Sequence, residues 1–238
     1  MSEVTTPPQT TPPKKENLWI NLLLNVVVPT LILTKLSKEE YLGPTLALII
    51  ALAFPIGYGI WDYFTRRKWN FLSGLGMAGV LLTGGISLLE LDPKYIAIKE
   101  AAVPGILALA TLISNYTRYP LVKTIMLNDS VLKMEAINQA LQEQNTRADF
   151  DRVLTIASYL VASSFLLSSV LNYVLAKMIV VSAPGSVEYT QELGKMTALS
   201  YPVIVLPGML ILMGSMFYLF RNITRLTKLS LDEILIQQ

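Results

Sequence analysis

From Leu18 to Phe220 the chain alternates long apolar runs with short polar breaks. Runs of about 20 apolar residues match the hydrocarbon thickness of a bilayer at 1.5 Å rise per helical residue. The pattern predicts an all-α, polytopic membrane protein with six transmembrane helices, at about 18–36, 43–64, 70–91, 95–117, 153–178 and 198–220. The densest break lies between the third and fourth runs, where Glu90, Asp92, Lys94, Lys99 and Glu100 crowd into a tight turn.

Two segments depart from the apolar pattern. Residues 1–17 are rich in Thr and Pro and lack apolar periodicity, so they bury too little surface to offset ordering and are expected to be disordered. Residues 119–152 are polar, but Val131, Met134, Ile137 and Leu141 recur at spacings of 3, 3 and 4. That spacing predicts an amphipathic helix lying on the membrane or docked beneath the bundle. Val180 to Thr197 reads as a polar loop turning at Pro184-Gly185, and residues 222–238 as an amphipathic tail leaving the membrane.

Polar residues inside or beside the runs are the candidate functional positions. Asn25 lies one turn after Asn21, and Pro29 cannot donate to the Asn25 carbonyl, so a bend is expected there. Asp62 precedes Arg66 by one helical turn, beside Trp61 and Tyr63, which suits an interfacial ion pair in an aromatic belt. Lys99 and Glu100 fall about one turn inside the fourth run, and Pro104 withholds a donor from the Glu100 carbonyl. Neighbours on a helix diverge by about 100°. Lys99 and Glu100 are therefore expected to pair with Glu90, Asp92 and Lys94 as a clasp, rather than with each other. Asn172, deep in the fifth run, requires a partner, and Ser164 and Ser168 form a small-xxx-small face for close helix contact. Gly74, Gly76 and Gly79 spell G-x-G-x-x-G, but no strand precedes them, so they indicate helix packing rather than dinucleotide binding.

Composition narrows the chemistry. The chain is 53% hydrophobic and only 15% charged, with mean hydropathy +0.50, which separates it from soluble domains. It contains neither Cys nor His, which removes disulfides, thiol nucleophiles, histidine bases and most zinc or haem ligation. No cofactor or metal is expected, and the basic residues, set beside apolar runs, form no nucleic-acid footprint. Most of the 19 basic residues, among them Lys14, Lys15, Arg66, Arg67, Lys68, Arg118, Lys123, Arg221 and Arg225, fall in segments on the same side as the termini. The positive-inside rule then places both ends, and the 119–152 segment, in the cytoplasm.

Several stretches resemble the bacterial inner-membrane intracellular septation protein A family. They are Gly84-Gly85-Ile86-Ser87-Leu88, Asp92, Tyr95-Ile96-Ala97-Ile98-Lys99, Pro120-Leu121, Leu171-Asn172-Tyr173-Val174-Leu175-Ala176, and Arg221 after an aromatic-Leu-aromatic end. Lys99 and Asn172 are the polar positions that match. The family's Pro-Thr after the lysine is replaced by Glu100-Ala101, and its tryptophan-rich fifth span by serine and valine. The resemblance implies a multi-pass inner-membrane protein of the cell envelope, in contact with division or elongation proteins, with no enzymatic activity or cofactor.

Two functions compete. One is a non-enzymatic scaffold or partner-binding membrane protein; the other is a small transporter or permease using Lys99, Glu100 or Asp62, since ionisable groups near lipid are functional suspects. A lipid-modifying enzyme would need a nucleophile and base at one depth, and only Lys99 and Glu100 offer themselves.

Overall fold

The computed structural model describes residues 22–66, 71–117, 120–127 and 132–236. The Thr/Pro-rich leader, Asn21, Arg67, Lys68, Arg118 and Val131 lie outside them. Among the described residues the chain is all-helical, with no strand and a single antiparallel bridge, Leu132 to Leu235. Four helices among the described residues are long and apolar enough to cross a membrane: Gly43–Trp61, Lys94–Ser114, Arg147–Ile179 and the interrupted run Val187–Thr227. Two further apolar helices, Leu23–Lys35 and Ala78–Leu88, are shorter.

The chain forms two compact units. The first comprises residues 1–90 and 184–194, the second residues 91–183 and 195–238. In the first, a π-helical turn, Leu23–Val27, leads into α1 (Val28–Lys35), which packs on α2 (Gly43–Arg66). Next comes α3 (Phe71–Leu88), held against α2 where Gly84 leaves no room for a Cβ beside Leu52. The G-x-G-x-x-G glycines fall within α3, which is helical, with open space beside Gly79. In the second unit α4 (Lys94–Ser114), α5 (Leu121–Met126), α6 (Met134–Glu143) and α7 (Arg147–Ile179) follow in order. Helix α8 (Val187–Ser200) starts in the first unit and ends in the second. A second π-helical turn, Tyr201–Val205, joins it to α9 (Leu206–Thr227), and α10 (Leu231–Ile234) closes the chain.

The two π-helical turns share a cause. In the first, the Val28 N–H reaches back five residues to the Leu23 carbonyl; in the second, Leu206 reaches Tyr201 in the same way. Each ends two residues before a proline, Pro29 or Pro207. Proline has no N–H and its ring crowds the carbonyl four residues back, so widening the preceding turn relieves the clash. Pro55 and Pro104 sit within helices that remain α-helical.

Helix α7 is the axis of the second unit, with α4 packed along one side and α9 along another. Polarity is inverted along this trio: Ile98, Ile106, Leu109, Ile113, Leu166, Val170, Leu210, Met213 and Phe217 are exposed, whereas Thr111, Ser114, Ser158, Ser164 and Ser215 are buried. Apolar outside and hydroxyl inside is the distribution that lipid, not water, solvates. At the opposite end the pattern reverts to that of a water-soluble core. The N-terminal turns of α7 and the C-terminal turns of α9 bury Phe150, Val153, Leu154, Leu219 and Ile223 with Val122, Leu132, Ile137, Leu141 and Ile234.

Several expected boundaries move. The 119–152 segment is not one amphipathic helix: α6 carries the buried Ile137, Ala140 and Leu141 and docks under the bundle, while α7 begins at Arg147, six residues before the expected span. The loop expected at 180–197 holds only as far as the Pro184-Gly185 turn, where Gly185 has φ +80°. From Val187 the chain is helical, started by Ser186, whose Oγ accepts from the Tyr189 N–H at 3.1 Å. The polar residues of α8 hide a helical stripe, Tyr189, Leu193 and Met196, and all three are buried. The tail expected from 222 begins later: α9 runs on to Thr227, and residues 230–236 dock at the α6 end of the cap.

Phe150 is fully buried at the centre of the cap. Phe150→Ala is expected to destabilise the protein by about 3–5 kcal/mol, read as a lowered midpoint of SDS-induced unfolding of the detergent-solubilised chain.

Candidate functional site

The exposure of the α4–α7 pair and its hydrogen bonds set out what its polar side chains can do. Ser169 Oγ donates to the Ala101 carbonyl at 2.8 Å, and a Cβ on Gly105 would stand 3.1 Å from the same oxygen. Near the other end the Tyr116 and Tyr159 hydroxyls approach to 3.5 Å. These contacts make the two helices antiparallel and set their register, which brings the turn holding Asn172 level with the turn holding Lys99.

At the charged start of α4 the two residues that the sequence sets apart by angle do pair. Lys99 Nζ lies 2.6 Å from Glu100 Oε1, although the two are adjacent in sequence, with side chains 13% and 26% exposed. The 100° between neighbours separates their Cβ atoms, but the lysine stem has four methylenes and can wrap around the helix to its neighbour. Partial burial makes that closure favourable, because each charge would otherwise be desolvated alone. Lys94 pairs separately with Asp92 at 3.2 Å and lies over the Tyr95 ring. The Asp92 carboxyl is held below the usual carboxylate range, chiefly by the hydrogen bond from the Lys94 backbone N–H and then by that from its ammonium. Glu90, within the first unit, turns to Gly185: a Cβ there would stand 2.8 Å from its Oε1.

The remaining sequence candidates fall elsewhere. Asn172 satisfies its amide locally, Nδ2 donating to the Ser168 carbonyl at 2.8 Å. Asn25 lies within the first π-helical turn. Asp62 and Arg66 share α2 one turn apart, but their side chains lie outside those described. Of the five candidates, Lys99 and Glu100 are brought into direct contact.

The small-xxx-small face is used as expected. Gly208 of α9 sits over it, with a would-be Cβ 3.2 Å from Ser168 Oγ and 3.6 Å from Ser164 Oγ. Ser164 Oγ donates to the Gly208 carbonyl at 3.0 Å, and Ser215 Oγ returns the contact to the Ala157 carbonyl at 3.2 Å. Pro207-Gly208 thus marks a close contact as well as a break in the helix.

One buried polar pair has no counterpart among the sequence candidates. Ser87 of α3 and Tyr189 of α8, both in the first unit, share a hydroxyl hydrogen bond of 3.0 Å, and both are buried. The helical stripe through Tyr189 was its only signal in the sequence. Among the described residues, no group of three or more Asp and Glu side chains is placed to hold a metal ion.

No protein-family model, curated protein or solved structure matches this chain.

The paired charges give a direct test. Neutralising one member leaves the other partly desolvated, so Lys99→Met and Glu100→Gln should each lower stability by about 1–3 kcal/mol, while the double variant should lose less than the sum. A double-mutant cycle on unfolding midpoints measures the difference. Gly208→Leu, which forces a side chain against Ser164 and Ser168, should destabilise by about 1–3 kcal/mol, whereas Gly214→Leu, with open space beside it, should cost little.

Proposed function

We propose that this chain is a non-enzymatic integral membrane protein of the bacterial cell envelope, a scaffold or partner-binding protein resembling the septation protein A family. The observation that carries this is how the polar groups of the second unit are employed. Ser164, Ser169, Ser215 and Asn172 hydrogen-bond to backbone carbonyls, and Lys99 is neutralised by Glu100. Hydroxyls that bond neighbouring helices together serve packing; a transport site would instead direct them towards a passage.

The same proposal carries six spans, with the short helices Leu23–Lys35 and Ala78–Leu88 as the first and third. Both termini and the docked α6 lie in the cytoplasm of a bacterial inner membrane, where the basic segments face the anionic leaflet. The exposed face of α6, with Glu135, Gln139, Gln142 and Glu143, is then offered to envelope or division proteins.

A transporter using Lys99, Glu100 or Asp62 is the second reading. It is favoured by one observation, a partly buried ion pair one turn before Pro104. Proteoliposome flux separates the two. The wild-type chain should move a broad panel of solutes no faster than empty vesicles, and uptake abolished by Glu100→Gln or Asp62→Asn would overturn the scaffold assignment. Because the chain lacks cysteine, single thiols report topology cleanly. In intact spheroplasts Lys38→Cys should react with an impermeant maleimide, and Gln142→Cys only after permeabilisation.

A further inference from the structure

The last described residues of the chain do not merely end it. Ser230 to Glu233 form a capping box: Glu233 Oε2 accepts from the Ser230 N–H at 2.7 Å and from its hydroxyl at 2.8 Å. This one turn of α10 carries Ile234, fully buried, into the cap beside Leu132, Ile137 and Leu141. The strand-like residues around it make the Leu132 to Leu235 bridge, in which the Lys133 N–H donates to the Ile234 carbonyl at 2.9 Å. Lys133 also extends its ammonium to the Asp232 carbonyl at 3.5 Å.

We propose that residues 230–236 are a reversible latch that holds α6 against the ends of α7 and α9, and that acid opens it through Glu233. The anchorage is small and local: Ile234 and Leu235 pack on the cap and one backbone bridge joins the tail to its seat, while the capping box that shapes the turn lies within the tail and is exposed to solvent. The segment it retains is seated through Ile137, Ala140 and Leu141 but starts without a side-chain cap, and the N–H and ammonium of Lys133, the residue before α6, are engaged with the tail. A seven-residue segment fixed by so few contacts opens without unfolding the helices behind it.

The pH direction follows from the groups around the carboxylate. Glu233 accepts two hydrogen bonds from Ser230 and faces the Lys133 ammonium, with Asp232 next to it in the turn; its carboxyl is held below the ordinary range, chiefly by the Ser230 backbone N–H. A carboxyl depressed in the folded state stabilises that state above its unfolded pKa, and the contribution is lost as pH falls through the folded value. The latch is therefore closed at neutral pH and loosens in acid.

Hydrogen exchange on the full chain in lipid nanodiscs tests this, read as protection factors so that the intrinsic pH dependence of exchange is removed. At neutral pH, Ile234→Asp should lower protection across 132–143 by at least tenfold, while protection within 154–176 is unchanged. Glu233→Gln and Ser230→Ala should produce the same local loss to a smaller extent. Wild type should lose protection in 132–143 between about pH 5 and about pH 3, and Glu233→Gln should show little further change over that range. Unchanged protection at 132–143 in all three variants would overturn the latch. Equal losses in 132–143 and 154–176 would also overturn it, because the tail would then be part of the global fold rather than a separate closure.

Discussion

Close approach of helix backbones along α7 is the constraint on which the second unit depends. Where the outer surface is as apolar as the medium proposed around it, burying leucine between helices gains little, and association relies on packing and interhelical hydrogen bonds. The chain answers with serines opposite glycine or alanine: Ser169 against Ala101 and Gly105, Ser164 and Ser168 against Gly208, Ser215 against Ala157. Each hydroxyl reaches a main-chain carbonyl of the facing helix or lines its glycine. That is possible only because no bulky side chain intervenes.

The same helix obeys a different rule at its other end. From Phe150 to Val161 the inward positions other than Ser158 are aromatic or aliphatic, joined by Leu219 and Ile223 of α9 and by the docked α6. Here apolar burial supplies the drive, as it does in water. The passage from one rule to the other falls within a continuous helix, so the bundle and its cap share an axis and need no hinge. Polar surface follows the same change: Arg147 pairs with Asn138 at 2.7 Å, a contact suited to solvent.

Much of this was legible in the sequence because it rests on period and composition. Apolar runs locate the long helices, the 3-3-4 spacing finds the docked face of α6, and the Ser164/Ser168 pair marks a close contact. What the sequence concealed depends on reach and on tertiary partners. The Lys99–Glu100 pair escapes a rule based on angular separation because a lysine stem can curl where a Cβ cannot. Helix α8 looked like a loop because its polar residues outnumber the buried stripe through Tyr189, Leu193 and Met196. Ser87 gave no sign of Tyr189, since the two are separated by about a hundred residues and joined only by folding. The π-helical turns have a local cause in Pro29 and Pro207, yet Pro55 and Pro104 show that proline alone does not specify them.

Helix α7 has 33 residues, roughly 50 Å at the standard rise. A hydrocarbon layer occupies about 30 Å of such a rod, so the remainder is a rigid stem projecting beyond it. Because one unbroken helix carries both, the apolar outer face of α7 and the cap around Phe150 are held in a fixed angular register.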